Sequence, residues 1–245
     1  MRLLPREPVA VAPGAVHLPG WLDNAGQRRL ASSCEAWSRQ SGGLRAPRMP
    51  RRGVMSVEIA CLGWHWSPYH YSETVDDDDG RPVAPFPDAL ATLARRAERD
   101  ASAVDAGVRA DLPASMDAED SYCPDVALIN WYRVGAHMGM HADRDEHVPA
   151  PVVSLSVGDS CVFRFGNTSD RGRPWTDVLL ESGDLFVFGG PSRFAFHGVP
   201  KVLAGTAPPG CGVAVGRFNL TVRHSGLVKT TLRGQQGVVQ SPKRK

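Results

Sequence analysis

From Pro124 to Arg223 the chain is a succession of short apolar runs cut by glycine-bearing turns. Val126–Arg133, Val152–Val157, Cys161–Phe165, Asp177–Leu180, Leu185–Phe188 and Val213–Val222 read as strands. Gly158-Asp159, Gly166-Asn167, Gly183-Asp184 and Gly189-Gly190 read as the turns between them. Strands this short bury their apolar faces only by packing on other strands, so the pattern implies a sandwich or a barrel. No internal repeat accompanies it.

The first half carries the helices. Residues 1–20, rich in Pro and Val, read as an extended arm with a short strand near Ala15–Leu18. A helix is expected from Asp23 to Gln40, with Asn24 and Gln27 at capping-box spacing and Leu30, Cys34 and Trp37 as its apolar stripe. Gly42-Gly43 ends it. A strand is expected over Val54–Ala60 and a second helix over Pro87–Ala106, with Leu90, Leu93, Ala97 and Val104 inward. Asp76–Asp79 reads as a solvated acidic tip, and residues 108–124 as an insertion-like loop without an assigned role. The segments divide as an arm (1–20), a helical support with a lid (21–123), a β core (124–226) and a basic tail (227–245) expected to be disordered. Residues 21–226 are expected to form one domain.

Whole-chain properties exclude several classes. The 245 residues, 42% of them hydrophobic, suffice for one globular core. Five cysteines (34, 61, 123, 161 and 211) form no C-x-x-C pair, which argues for reduced thiols and against a disulfide framework or zinc ribbon. No apolar run approaches the ~20 residues of a membrane span, and Pro5 and Glu7 interrupt any signal-like start. A soluble, cytoplasmic monomer is expected. The formal charge of +2 does not by itself point to nucleic acid. Its distribution is more informative, because Arg45, Arg48, Arg51 and Arg52 crowd one Pro-containing loop. That loop is either a phosphate-facing surface or an ordinary solvated one.

The chemistry gathers at His141-x-Asp143. In extended chain, residues two apart point the same way, so imidazole and carboxylate can reach one ion. Two ligands are too few for iron, and His197, after the apolar run Leu185–Phe188, is available as a third. Two His and one carboxylate leave three open positions on an octahedral metal, the arrangement of non-haem Fe(II) oxygenases. A polar strand end is the bland alternative. Further on, alternation places Arg217, Asn219, Thr221 and Arg223 on one strand face, with Phe218, Leu220 and Val222 on the other. Two inward guanidiniums require an anion, and a small dicarboxylate meets both. An outward, solvated face is the competing reading.

Taken in order, N-x-Y at Asn130 and Tyr132, H-x-D-x-D-E from His141 to Glu146, F-G-G-x-S-R-x-x-x-H from Phe188 to His197, and R-x-N-x-x-x-R from Arg217 to Arg223 resemble the AlkB-type nucleic-acid dealkylases. The resemblance spans roughly Val54 to Gly226. It implies a double-stranded β-helix (jelly roll) behind the helices, and Fe(II) on His141, Asp143 and His197. It also implies 2-oxoglutarate and O2 as co-substrates. The distal carboxylate of 2-oxoglutarate is expected at Arg217 with Asn130, Tyr132 and Asn219, and Arg223 nearer the metal.

The implied reaction hydroxylates an N-methyl group on a base of the 1-methyladenine or 3-methylcytosine type, releasing formaldehyde and succinate. Single-stranded DNA and RNA both remain open as substrates, since each is read through a flipped base. Leu62–Tyr71, with Trp64, Trp66, Tyr69 and Tyr71, corresponds to a nucleotide-recognition lid. Within it the resemblance makes Trp64 the stacking residue and puts Tyr69 or Tyr71 near the substrate backbone. Asp145 is expected to offset the charge of a methylated base, with Glu146 and Arg171 at the pocket edge. His137, His147 and His224 fit no ligand pattern, and Arg193 is expected to be structural.

A small-molecule hydroxylase, a zinc hydrolase using the same three ligands and an inert cupin-like binder share parts of this pattern. Anaerobic Fe(II) plus 2-oxoglutarate separates the last two from the oxygenases. A weak visible charge-transfer band is expected here, and a zinc hydrolase or inert binder gives none.

Overall fold

The structure is a computed structural model and describes residues 6–50, 53–112 and 121–230. Arg51, Arg52, residues 113–120 of the 108–124 insertion and the basic tail beyond Thr230 lie outside the described residues. The chain begins with β1 (Val9–Ala12), β2 (Ala15–Leu18) and α1 (Asn24–Gln40). It continues through β3 (Glu58–Leu62), a hairpin of β4 (His65–Ser67) and β5 (His70–Ser72), and α2 (Asp88–Val104). Next come β6 (Val126–Tyr132), β7 (Met138–His141), β8 (Val152–Gly158) and β9 (Ser160–Phe165). The last strands are β10 (Thr176–Leu180), β11 (Leu185–Phe188), β12 (His197–Leu203) and β13 (Arg217–Arg223).

A seven-stranded sheet in the order β1-β2-β11-β8-β13-β6-β3 faces a four-stranded sheet in the order β10-β9-β12-β7. This is the jelly roll that the sequence implies. One apolar core, including Leu30, Leu90, Val153, Leu220 and Val222, lies between the large sheet and the two helices. A second, including Phe163, Phe165, Phe186 and Phe188, fills the space between the sheets. β13 separates the two environments. Its Phe218, Leu220 and Val222 enter the helix-side core, while Arg217, Asn219, Thr221 and Arg223 face a cavity between the sheets. Among the described residues no helix is long and apolar enough to cross a membrane.

Several boundaries differ from the expectations, each for a local reason. The arm at residues 1–20 is no separate segment, because β2 pairs with β11 and makes the arm part of the large sheet. The cap of α1 is Asp23, not Asn24; its Oδ1 accepts from the Gly26 amide at 2.6 Å. β3 lies later than the expected Val54–Ala60, and β13 later than Val213, because Gly212 and Gly216 adopt positive φ (94° and 85°) and hold residues before it in a turn. β12 reads poorly as a strand because it contains Pro200 and Lys201, and its pairing shifts register between Gly198 and Lys201. Val104, expected inward, is 41% exposed at the end of α2. Both ends of the insertion are structural, with Val108 and Tyr122 buried in the helix-side core. The acidic tip is paired. Asp77 meets Arg45 and His65, Asp76 meets His70, and Asp78 and Asp79 meet Arg81.

The arm is fastened by one carboxylate. Asp184, with a fully buried side chain, accepts from Arg6 (2.8 and 2.6 Å), and its Oδ2 lies 2.9 Å from His17 Nε2. The amides of Gly20 and Glu181 add 2.8 and 2.9 Å bonds. Burial alone would raise this carboxyl; His17, Arg6 and the two amides more than reverse that and hold it below its ordinary value. A depressed pKa stabilises the fold above the unfolded carboxyl's range, and that contribution fades as pH falls through the folded value. Asp184→Asn is therefore expected to cost about 3 kcal/mol near neutral pH. The difference from wild type should shrink as pH drops below ~4. Urea unfolding at several pH values measures both.

Candidate active site

Pairing of β7 with β12 sets His141 directly opposite His197. Gly198 permits the approach, since a Cβ there would sit 2.7 Å from the Met138 carbonyl oxygen. The imidazole centroids are 4.5 Å apart. Each ring places Nδ1 3.0 Å from the carbonyl two residues earlier, Gly139 for His141 and Ala195 for His197. A proton on Nδ1 completes both bonds and leaves both Nε2 lone pairs for a metal. Asp143 sits between them, with Oδ1 3.7 Å from His141 Nε2 and Oδ2 3.8 Å from His197 Nε2. The three donor atoms lie within 4.8 Å of one another. This donor set suits a divalent ion of intermediate softness such as Fe(II).

Electrostatics prepare the ligands. Burial, then the neighbouring His141, lower His197 to about 4, so its ring is neutral at physiological pH. Burial would raise the Asp143 carboxyl, but Arg223, then His197 and His141, hold it well below the usual range. Phe188 and Phe163 flank His197 at 5.0 and 5.8 Å between ring centroids, an apolar wall behind the metal position.

A cavity of about 670 Å³ leads inward from the triad. Arg217 lies at its inner wall, only 1% exposed. Its Nη2 donates to Ser156 Oγ at 2.6 Å and its Nη1 to the Asp159 carbonyl at 3.4 Å, while its buried Nε has no partner. No carboxylate pairs with it among the described residues. A buried guanidinium without an anion is costly, so this wall fits the carboxylate of a small acid. Asn130, Tyr132 and Asn219 line the same space. Burial raises the Tyr132 phenol, which therefore stays a neutral donor.

Arg223 is more committed than expected. Its Nη2 lies 2.8 Å from Asp143 Oδ2, and its Nη1 donates to Tyr71 Oη and Glu146 Oε1 at 2.8 and 3.0 Å. It orients the metal-ligand carboxylate, and only its buried Nε lacks a partner. Arg193 is structural, as expected. It donates to the Ala150 and Asp143 carbonyls at 2.6 and 2.9 Å and to Glu146 at 2.7 Å.

At the mouth, Trp66, Tyr69, Asp145 and Arg171 line the cavity. Trp64 does not. It occupies the bend between β3 and β4, is 6% exposed, and has the Lys229 ammonium 5.8 Å from its ring centre. Trp66, two residues later and inside β4, takes the cavity position and donates Nε1–H to Asp145 Oδ2 at 2.9 Å. Proximity in sequence hid this, since the bend breaks the alternation that would have put both indoles on one face. Tyr71 and Glu146 are also removed from the pocket edge, bonded to each other at 2.7 Å beneath it. Tyr69 is 70% exposed and adopts φ 76° at the hairpin tip after Pro68, a position suited to glycine. Met49, Met55, Met138 and Met140 also line the cavity, an adaptable apolar surface that carried no recognisable sequence signal. Arg45, expected to face phosphate, instead braces the hairpin through His65, Asp77 and the Trp66 carbonyl.

A family profile described as the 2OG-Fe(II) oxygenase superfamily matches residues 14–223. The chain is 34% identical over 226 residues to the alpha-ketoglutarate-dependent dioxygenase AlkB homolog of Caulobacter vibrioides, covering 89% of this chain and 91% of that protein. It is 30% identical over 230 residues to the DNA N(6)-methyladenine demethylase ALKBH1D of Arabidopsis thaliana. That match covers 87% of this chain and spans 50% of the plant protein. A solved structure described as "The structure of OsALKBH1" superposes with a TM-score of 0.75 at 31% identity, covering 89% of this chain and 99% of that one. The chain therefore belongs to the 2OG-Fe(II) oxygenase superfamily and, within it, to the AlkB family of dioxygenases.

Proposed function

We propose that this protein oxidatively removes methyl groups from base nitrogens in single-stranded DNA or RNA, with 1-methyladenine and 3-methylcytosine as the substrate type. The family's cofactor is Fe(II), with 2-oxoglutarate and O2 as co-substrates. One observation carries the substrate reading. A single cavity joins the metal triad and Arg217, which no carboxylate pairs among the described residues, to a mouth formed by an indole and a carboxylate, Trp66 and Asp145. A flat cation stacked on an indole and faced by a carboxylate is what a base methylated at a ring nitrogen requires. At the mouth, Arg144 and Arg171 line the cavity and form no ion pair among the described residues. They suit the phosphates of a strand crossing the opening. The demethylase name of the plant relative supports the same substrate class and adds the exocyclic N6-methyl group as a second candidate.

Each residue then has a task. Held by His141, Asp143 and His197, Fe(II) with 2-oxoglutarate and O2 would supply the oxidation that converts an N-methyl C–H bond to C–OH. The resulting N-hydroxymethyl group leaves as formaldehyde and returns the electron pair to the base nitrogen. Arg217 anchors the far carboxylate of the co-substrate, with Tyr132 and Asn219 alongside. Arg223 keeps Asp143 ionised and aimed at the metal position. Trp66 and Asp145 fix the base plane, and the methionines and Phe188 exclude water around the reacting methyl group.

Two outcomes test this assignment. Arg217→Ala should raise the KM for 2-oxoglutarate roughly 10- to 100-fold, as the loss of a charged hydrogen bond requires. Arg217→Lys should raise it less, retaining charge without the fork. An unchanged KM in Arg217→Ala would remove the anchor. Trp66→Ala should lose a stacking contact of ~1–3 kcal/mol. Formaldehyde release from 1-methyladenine, 3-methylcytosine and N6-methyladenine oligonucleotides should fall, while 2-oxoglutarate turnover without nucleic acid persists. Trp64→Ala, by contrast, should act on stability. Equal loss of both activities in Trp66→Ala would place Trp66 outside substrate binding.

A further inference from the structure

The hairpin that carries Trp66 to the cavity is fastened to the metal-ligand loop by two adjacent carboxylates. Trp66 and Tyr71 are direct partners in the β4–β5 register, so their side chains leave the same face of the hairpin. Trp66 Nε1–H donates to Asp145 at 2.9 Å, and Tyr71 Oη–H donates to Glu146 at 2.7 Å. Both acceptors stand in the irregular loop after β7, two and three residues past Asp143. Without a strand ladder, that loop takes its position from its side chains. The Glu146 side chain is 1% exposed and Tyr71 lies beneath the cavity wall. Arg223 closes the circuit, with one nitrogen on Tyr71 and Glu146 and the other on Asp143. Three contacts therefore separate the indole at the mouth from the metal-ligand carboxylate.

We propose that Tyr71 is a positioning residue that couples the lid hairpin to the metal centre. Nucleic acid seated on Trp66 fixes the hairpin, and Tyr71, acting through Glu146 and Arg223, fixes Asp143 in its metal-binding orientation. The inference rests on the nucleic-acid reading above. Linkage requires the effect to be mutual: the oligonucleotide tightens metal binding by the factor with which metal tightens oligonucleotide binding. Tyr71→Phe keeps the ring and its packing and removes only the hydroxyl. Arg223 retains Glu146 and Asp143, so the site stays assembled while the hairpin loses its link to Glu146 and Arg223 and keeps only the Trp66–Asp145 bond.

Mn2+ serves as a probe that does not turn over. Its affinity is titrated with 2-oxoglutarate present, with and without a saturating single-stranded 1-methyladenine oligonucleotide. Wild type is expected to bind Mn2+ on the order of fivefold more tightly with the oligonucleotide. Tyr71→Phe is expected to show a factor near one. The same factor in both proteins, or no factor in wild type with oligonucleotide bound, overturns the coupling. Failure of wild type to bind the oligonucleotide at all overturns the nucleic-acid reading, and this inference with it. A variant-free measurement guards against misfolding of Tyr71→Phe. Hydrogen exchange of the β4–β5 amides in wild type should slow on adding Mn2+ and 2-oxoglutarate, and unchanged exchange also overturns the proposal.

Discussion

The site depends on a buried chain of alternating charges: Arg193, Glu146, Arg223 and Asp143. All four side chains are nearly inaccessible to water, and removing any one would leave an uncompensated charge in a low-dielectric interior. Among themselves the four are neutral, so they need no bound ion to persist. They thereby hold a ligand carboxylate ionised and aimed before metal arrives. Arg217 is the contrasting case, a buried cation whose counter-charge must come from outside. The protein thus has one site that is electrically complete and one that is not, a few residues apart along β13.

β13 can serve both because it is sandwiched within the large sheet, between β8 and β6. Strand alternation sends every second residue into the helix-side core, where Phe218, Leu220 and Val222 anchor the strand rigidly. Residues between them then have fixed positions without being packed themselves. Metal ligands are positioned differently. His141 and His197 sit on paired strands of the small sheet, whereas Asp143 stands on a loop and borrows its rigidity from the buried charges. That contrast explains why the loop is so heavily bonded.

Much of this was legible in the sequence, for physical reasons that differ by residue. Arg217 and Asn219 could be placed on one face because alternation in a seven-residue strand is unambiguous. His197 was legible as the third ligand from its place after an apolar strand, although the strand it begins was not. A Pro and a bulge disguise β12 as a loop. Trp64 and Trp66 could not be told apart without knowing where the bend fell, because two residues of spacing preserve a face only in regular chain. Tyr71 and Glu146 could be read as important but not as bonded to each other, since they are far apart in sequence and meet only in the folded hairpin. The arm was legible as a strand and illegible as part of the sheet, because its partner lies more than a hundred residues away.

The place of that arm also bears on solubility. β11 contributes Phe186 and Phe188 to the core behind His197, and without β2 it would be the margin of the large sheet. An apolar margin of that kind offers a row of open amides and carbonyls to any passing strand. In the assembled fold the outermost strand is instead β1, four residues long, irregular in register at Ala10–Ala12 and followed at once by Pro13. Such a strand is a poor template for further pairing. β1 and β2 thus act as a hem, replacing an apolar sheet border with a short and irregular one.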